Sequence, residues 1–543
     1  MKCIKFSGAM LVALLSVGFM TGCAKGSATD EYDEQGRLIL KIKNAYFESW
    51  EGEDPYTEVL NEKFKVNIQA VGYDYNDWDG AVNREMNTDS LLDNVHYNLK
   101  AYNYGSTYEK WVDNMMVKAL PKNLKKWPNL NKMIESATNI DALKIDGRLY
   151  AIPILNDINN PEKDFSNFTY MYRRDIAKQI DAANANKAGY VPIYKEGDVY
   201  TWDEFLRLMD GFYTNLTNSK QCVICDEEWA FPSITNFYKD SPHCYTKDAS
   251  GKAICAFTGD KYIAGLQKSK ELVENKYYAQ DNYNYKEGDA VKAYMSDNAF
   301  IYYDNFSLKN YIDRRADFKK MHKYDNLDDG TALLKVKGPD GKFALEGIEN
   351  WFGVTMFNYD ISDKKMEKIL DILDYLLSEE GTRLAVYGKE GYDYNIVDGK
   401  VELSPQGWEK GQDGKYGEKV NGAKFMRYLA TLGNDYRPVD PYTEADMEAF
   451  ESLNVWIDEM QAAKNNGQLR VFKTPADIEW MSTPTKNDKT EGLLSDANIA
   501  AAQYCFGVQN GKKQPMTLDQ YKEKFNTNSW NKVLKEINEK LGK

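Results

Sequence analysis

Three histidines, His96, His243 and His322, are all that a chain of 543 residues offers to imidazole chemistry. They lie far apart and none stands in an HExxH pair, so a zinc centre or a Ser-His-Asp triad has little to draw on. Asp74-Tyr75-Asn76-Asp77-Trp78 begins like a calcium loop, but Trp78 holds the fifth position, where an oxygen ligand is needed. Residues 325–330 fail in the same way at Leu327. No GxSxG elbow, P-loop or GxGxxG fingerprint occurs. Acid pairs such as Glu379/Glu380 are plentiful, yet glycoside hydrolysis needs two carboxylates at a set separation in space. No metal and no cofactor are expected. The unusual endowment is aromatic: 39 Tyr, 22 Phe and 11 Trp make up 13% of the chain. Such flat side chains with a polar edge suit sugar faces as well as a core.

Four cysteines, Cys222, Cys225, Cys244 and Cys255, fall in a C-x2-C-x18-C-x10-C pattern. A zinc ribbon would repeat C-x2-C in its second half. One or two disulfides stapling a surface excursion are expected ahead of free thiols, and both ahead of a metal site. Asp and Glu number 83 against 69 Lys and Arg, a net charge of −14, which makes a phosphate backbone a poor partner. Apolar residues at 43% and charged residues at 28% describe an ordinary globular protein.

These residues need elements to position them. Residues 38–43 read as a strand. Asp54-Pro55 is an N-cap with proline at N1, opening a helix through Leu60 and Phe64, and residues 66–71 alternate as the next strand. Such units build a mainly parallel sheet covered by helices. Thr201-Trp202-Asp203-Glu204 is a capping box, followed by Phe205, Leu208, Met209 and Phe212 on one face. Residues 363–380 read as one helix with Gly381 ending it. Residues 335–343 read as a hairpin with a Pro-Asp-Gly turn, and residues 518–541 as an amphipathic helical tail.

The N-terminus carries Lys2 and Lys5, then an apolar run over residues 9–20, too short for a confident membrane span. Thr21-Gly22-Cys23 follows, the arrangement of a bacterial lipoprotein cleavage site, and then a polar stretch to Gly36. Residues 1–22 are therefore expected to be a signal peptide, Cys23 the lipid attachment point and residues 23–36 a tether. That places the protein on the extracellular face of the bacterial cytoplasmic membrane, held by lipid alone.

Several stretches in order resemble one family. Lys144-Ile-Asp-Gly-Arg-Leu-Tyr-Ala-Ile-Pro-Ile154 is similar to a segment that precedes the first hinge of bacterial solute-binding proteins. Tyr170-Met-Tyr-Arg-Arg-Asp175 with Tyr200-Thr-Trp-Asp-Glu-Phe205, and residues 371–381 with 386–394, resemble further blocks of extracellular solute-binding protein family 1, the sugar receptors of ABC importers. The likeness runs over roughly residues 37–400. An insertion between Lys178 and Thr201 and the cysteine-bearing stretch depart from it. The resemblance implies a two-lobed α/β fold, with each lobe a mainly parallel sheet covered by helices and joined by hinge strands. Residues 37–156 with 345–395 would form the first lobe, and 157–344 with 396–543 the second lobe and C-terminal helices. Crossings are expected near Leu155, near Ala344 to Glu346 and after about Tyr394. It also implies a monomer without enzymatic activity that captures a carbohydrate between the lobes and passes it to importer permease subunits. A receptor for a peptide or other solute, and a secreted glycan-cleaving enzyme, are the alternatives.

Candidate ligand residues follow from position. Trp50 lies just past the first strand, where an open α/β sheet exposes ligand groups at strand carboxyl ends. Tyr102 and Tyr104 follow the strand at 95–99. Tyr303, Asp304 and Asn305 follow an apolar run at 299–301. Trp351, with Glu349 and Asn350, comes just after the second hinge. Arg173 and Asp175 are candidates too, with a local ion pair as the other reading. Trp202 reads as structural.

Overall fold

The computed structural model describes residues 30–44, 47, 55–74, 77–97, 104–155, 163–324, 326–404, 426, 429–430, 443–479, 481, 493–509 and 511–543. The signal segment, Cys23, Trp50 and Tyr102 lie outside the described residues; Tyr104 opens a helix, Tyr104–Asp113, in which its side chain is not described.

Eleven strands carry the argument: β1 (Leu38–Asn44), β2 (Val66–Gly72), β3 (Asn94–Tyr97), β4 (Ala151–Leu155), β5 (Phe168–Arg173), β6 (Cys222–Asp226), β7 (Ala299–Asn305), β8 (Thr331–Leu333), β9 (Phe343–Glu346), β10 (Trp351–Phe357) and β11 (Leu469–Phe472). The first sheet has the order β2-β1-β3-β10-β4 and the second β8-β5-β7-β6. β1 shows why the sequence was readable. Leu38, Leu40, Ile42 and Asn44 are buried while Ile39, Lys41 and Lys43 are half-exposed, a period of two. The helix Pro55–Phe64 then returns the chain to β2, parallel to β1. The capping box at Thr201 is present with both reciprocal bonds.

Each sheet has one reversed strand. β10 runs antiparallel to β3 and β4, and β5 antiparallel to β7 and β8. Both enter their sheet from a crossing between lobes. A chain arriving from the other lobe enters at the edge where its neighbours end, so it must run against them. The carboxyl ends of β1, β3 and β4 therefore share an edge with the start of β10. Those of β6 and β7 share one with the start of β5.

Separate cores confirm two lobes. Leu40, Ile42, Val95, Ile152 and Met356 belong to the first. The two faces of the second sheet carry their own clusters, Tyr170, Ile301 and Tyr303 on one, Met171, Tyr302 and Leu333 on the other. The crossings form a ribbon: Ser166 N–H donates to Glu346 O at 2.8 Å and Ile348 N–H to Asp164 O at 3.0 Å. β9 also pairs in parallel with β11. Met426, Leu429 and Ala430 pack in the first core, whereas the sequence reading put residues 396–543 in the second lobe. The next described residues, in the helix Glu444–Asn465, are in the second.

Two helices were read as one, or too long. The 363–380 segment breaks into Asp363–Leu376 and Glu379–Tyr387, with the Ser378 side chain capping the second. Gly381 thus lies inside a helix, not at a terminus. The tail divides into Leu518–Glu523 and Asn528–Lys540.

The amino-terminal residues are strapped to the first lobe. Ser362 Oγ donates to Asp30 Oδ1 at 2.6 Å, and Lys364 Nζ to Tyr32 Oη at 2.6 Å. Asp33 accepts from Arg37 Nε at 2.8 Å and from Asn67 Nδ2 at 3.2 Å. No helix among the described residues is long and apolar enough to cross a membrane.

Candidate functional site: the interlobe edge

On the first lobe, the described parts of β1, β3 and β4 end at Asn44, Tyr97 and Leu155. Apart from Phe47, the residues that immediately follow each lie outside the described residues, so this wall is known only by its base. There Asn44 Nδ2 meets His96 Nδ1 at 2.6 Å across the parallel β1 and β3. Burial holds the His96 imidazole far below its usual range, at about 3, so the ring is neutral.

Trp351 was expected to offer a face to ligand. Instead it is 0% exposed within the first core, and its indole Nε1–H donates to Thr138 O at 2.7 Å. The reason is a register shift: Trp351 pairs with Leu155 and Gly353 with Ile154, so Phe352 is an extra residue. A bulge of this kind carries Trp351 onto the same side as Val354 and Met356. Its neighbours serve the same junction. Asn350 Oδ1 accepts from Thr138 N–H at 2.8 Å and its Nδ2 donates to Ser136 O at 2.7 Å, while Glu349 Oε2 accepts from Thr138 Oγ1 at 2.7 Å.

Arg173 also departs from the site reading. It lies at the carboxyl end of β5, away from the hinge, and its guanidinium is buried against Asp175, with Nε–Oδ1 2.8 Å and Nη2–Oδ2 2.6 Å, and also meets Asp297. The local ion pair is what the structure shows.

The second lobe's edge is fully described near β6 and β7. Tyr303 is buried, and its hydroxyl accepts from Asn236 Nδ2 at 2.6 Å. Asp304 accepts from Arg314 Nε at 3.2 Å and from Asn305 N–H at 2.7 Å; burial raises its carboxyl above the ordinary value while Arg314 pulls it down. Asn305 is half-buried and accepts from Ser307 N–H at 3.1 Å. Tyr303, Asp304 and Asn305 are thus brought to the edge, but each makes internal bonds, and only Asn305 is more than marginally exposed. A small cavity lies between β5, β9 and the helix Glu444–Asn465, lined by Phe168, Asn236, Tyr303, Leu345 and Trp456. Its free volume of about 20 Å³ holds a water, not a sugar ring.

Sequence reasoning missed Trp229. It follows the carboxyl end of β6 and is 41% exposed, against 0% for Trp351. Its ring lies 5.4 Å from Phe168 and 6.3 Å from Tyr303, centroid to centroid, so an exposed indole is backed by two further aromatics. The signal was present: a tryptophan just past a strand, the same rule that singled out Trp50. Beside it, Glu227 Oε2 accepts from Gly288 N–H at 2.7 Å and Oε1 from Val291 N–H at 3.2 Å. Burial, and then the charge of Asp304, push its carboxyl up to about 7.

The cysteines are not staples of a surface excursion. Cys222, Cys225, Cys255 and Cys505 are buried free thiols. Val223 and Ile224 N–H both donate to Tyr277 O at 3.0 Å, and Cys222 and Cys225 join one core cluster with Ala299 and Tyr302, their partners on β7. No group of His, Cys, Asp and Glu side chains among the described residues is arranged to hold a metal ion. Trp78, in the calcium-like stretch, is buried with its Nε1–H donating to His96 O at 3.0 Å.

No protein-family model matches the chain, and no curated protein matches it. Solved structures do. The alginate-binding protein AlgQ2, crystallised without calcium ion, is 14% identical, with a TM-score of 0.63 over 92% of this chain and 97% of that one. An HMO-binding, ABC-transporter-associated solute-binding protein from Bifidobacterium longum infantis is 11% identical, with a TM-score of 0.61 over 93% and 98%. The N-glycan transport solute-binding protein NgtS from Streptococcus pneumoniae is 14% identical, with a TM-score of 0.57 over 92% and 97%. With both lobes spanned end to end, the chain has the bilobed α/β fold of extracellular solute-binding proteins.

Proposed function

We propose that this protein is an extracellular substrate-binding component of an ABC importer, capturing a carbohydrate between its lobes without turning it over. The observation that carries the reading is Trp229, a solvent-facing indole backed by Phe168 and Tyr303 at the carboxyl edge of the second sheet. A pyranose face laid on such a ring gains apolar contact, while hydroxyls at its rim would find the half-buried Asn305 amide as a partner. The fold supports it, since the three similar structures named above are of an alginate-binding protein, an HMO-binding protein and an N-glycan transport protein. Trp50, Tyr102 and Tyr104 stay in the proposal as the opposing wall, because each follows a strand of the first lobe. Closure of the lobes on ligand would present one composite surface to the permease subunits. Cys23 would carry lipid and hold the monomer at the extracellular face of the membrane.

Two measurements test this. Trp229→Ala should weaken binding of a cognate oligosaccharide by about 1–3 kcal/mol, roughly 5- to 150-fold, and leave the melting temperature nearly unchanged. Unchanged affinity would remove Trp229 from the site, and hydrolysis of the bound glycan would overturn the receptor reading. Cys23→Ala should move the protein from the membrane to the soluble fraction; a membrane fraction that stays the same would refute the anchor.

A further inference from the structure

Trp229 sits on the turn between Asp226, the last residue of β6, and Ser233. Asp226 is fully buried and closes that turn with its carboxylate. Oδ2 accepts from Ser233 N–H at 2.9 Å and Oδ1 from Ser233 Oγ–H at 2.7 Å. A third donor, Tyr278 Oη–H, reaches Oδ2 at 3.0 Å. With its hydrogen given to Asp226, Ser233 Oγ accepts from Tyr170 Oη–H at 2.7 Å. The Tyr170 ring meets Tyr303 edge-on, 5.0 Å between centroids, and Tyr303 in turn backs Trp229. The carboxylate thus reaches the indole by two routes, along the turn and through the rings beneath it. Its backbone is fixed as well: Asn282 Oδ1 accepts from Asp226 N–H at 2.9 Å, and Asn282 Nδ2 donates to Asp226 O at 2.8 Å. No lysine or arginine among the described residues pairs with this acid. Bonds to a charged acceptor are roughly twice as strong as neutral ones, so the clamp is firm while the carboxylate is charged.

We propose that Asp226 is a positioning residue for ligand capture, holding the Trp229 indole in place as a sugar platform. The inference rests on the carbohydrate reading above and adds a means of regulation to it. A charged carboxylate accepts from all three donors. A protonated one carries a hydrogen of its own and must give up a bond, because Ser233 and Tyr278 already donate to it. Burial pushes this carboxyl up to about 7, although Ser233 and Tyr278 pull it down. The groups packed around it keep their protons in this range: burial raises Tyr170 on β5, Tyr303 on β7, Tyr278, and Cys225 on its own strand. Two other acids stand at this edge. Glu227 is also raised to about 7, but its bonds go to Gly288 and Val291, and Asp304 is paired with Arg314. Affinity for a neutral sugar should therefore rise with pH through 7.

The test uses the intact protein and three neutral trisaccharides, maltotriose, mannotriose and kestose, titrated by calorimetry at pH 6 and pH 8. Wild-type affinity should be about 10-fold higher at pH 8, the ratio expected when only the charged form of a group titrating near 7 is competent. Glu227→Gln should keep this ratio and Asp226→Asn should abolish it. At pH 8, Asp226→Asn should weaken binding about 5-fold or more, yet add no loss in the Trp229→Ala background, because it acts through the indole. Tyr278→Phe removes one bond and no charge, and serves the same cycle if Asp226→Asn does not fold. Labelling with 5-fluorotryptophan gives a readout that needs no ligand. The Trp229 fluorine resonance, assigned by its loss in Trp229→Phe, should shift between pH 6 and pH 8 in the wild type and not in Asp226→Asn. A wild-type affinity that is flat with pH, an Asp226→Asn protein that binds like the wild type, or equal losses with and without the indole each overturn the inference and leave the carbohydrate reading standing. If no trisaccharide binds at either pH, it is the broader reading that fails, and the fluorine resonance decides the clamp: a shift abolished by Asp226→Asn upholds it, and an unshifted resonance refutes it.

Discussion

Replacing Trp351 by alanine should unfold the first lobe at a lower temperature rather than empty a binding site. The side chain is 0% exposed and packed in the first core, so truncation leaves a cavity the size of an indole. Large aromatic-to-alanine changes in such positions cost about 3–5 kcal/mol. The lost bond from Nε1 to Thr138 O, 2.7 Å long, adds about 1 kcal/mol, since the half-buried carbonyl loses its partner. Trp351→Phe separates the terms: it keeps most of the packing and loses the bond. For a unit of roughly 150–250 residues, 1 kcal/mol moves the melting temperature by about 2–4 °C. The expected falls are about 10 °C or more for alanine and a few degrees for phenylalanine. Differential scanning calorimetry on the ligand-free protein measures both, and should show the second lobe's transition less affected if the lobes unfold separately. An alanine variant that melts like the wild type but binds glycan 10-fold more weakly would mean that the indole faces ligand after all, and that the bulge at Phe352 does not orient it as argued.

Three further outcomes follow from the packing. Gly381→Ala places a Cβ 1.9 Å from Tyr375 O and 2.6 Å from Leu376 Cα, backbone that cannot swing aside, so its cost should reach or exceed the upper end of the roughly 1–3 kcal/mol typical of overpacking, read as a drop in melting temperature. Glu227, raised to about 7, holds a proton in the native state that the unfolded chain has released above about pH 4.5. Its contribution to stability is therefore complete below the unfolded value and fades as pH rises to 7. Denaturation curves should then show the wild type losing stability relative to Glu227→Gln from pH 5 to pH 7.5; parallel pH profiles would refute this. EDTA should leave the melting temperature unchanged within error, and a drop beyond about 5 °C would reveal a bound ion.

Much of the scaffold was readable because local signals agreed with tertiary demand. Leu38, Leu40 and Ile42 alternate, Asp54-Pro55 starts a helix, and Thr201 with Glu204 closes a capping box, each a pattern with one stable solution. The reading stopped where a single residue changes phase. Nothing in Glu349-Asn350-Trp351-Phe352-Gly353 announces a bulge, yet the bulge decides whether Trp351 faces core or cleft. The destination of Cys222 and Cys225 was hidden too, since residues three apart in a strand do not ordinarily share a face, yet both join one core cluster. At 363–387 the apolar stripe runs through Leu376 and Leu377, and only the Ser378 cap marks the corner between two helices. Arg173 and Asp175 sit two apart on a chain that bends from strand to helix, which makes their ion pair local. Trp229 lies three residues beyond a strand whose own residues are all buried, so its exposure is set by the turn after the strand and not by any pattern within it.

The strap at Asp30, Tyr32 and Asp33 sets how far an anchored molecule can roam. If lipid sits on Cys23, only six residues separate it from Asp30, seven Cα steps with a reach of about 24 Å at full extension. β1 then carries the chain from the strapped end to the interlobe edge, roughly another 23 Å. The cleft is thus confined to a shell within about 50 Å of the bilayer, and a hemisphere of that radius holds one molecule at a local concentration on the order of millimolar. Encounter with a membrane-embedded importer becomes a two-dimensional search, limited by lateral drift of the lipid and hardly at all by diffusion through the surrounding medium.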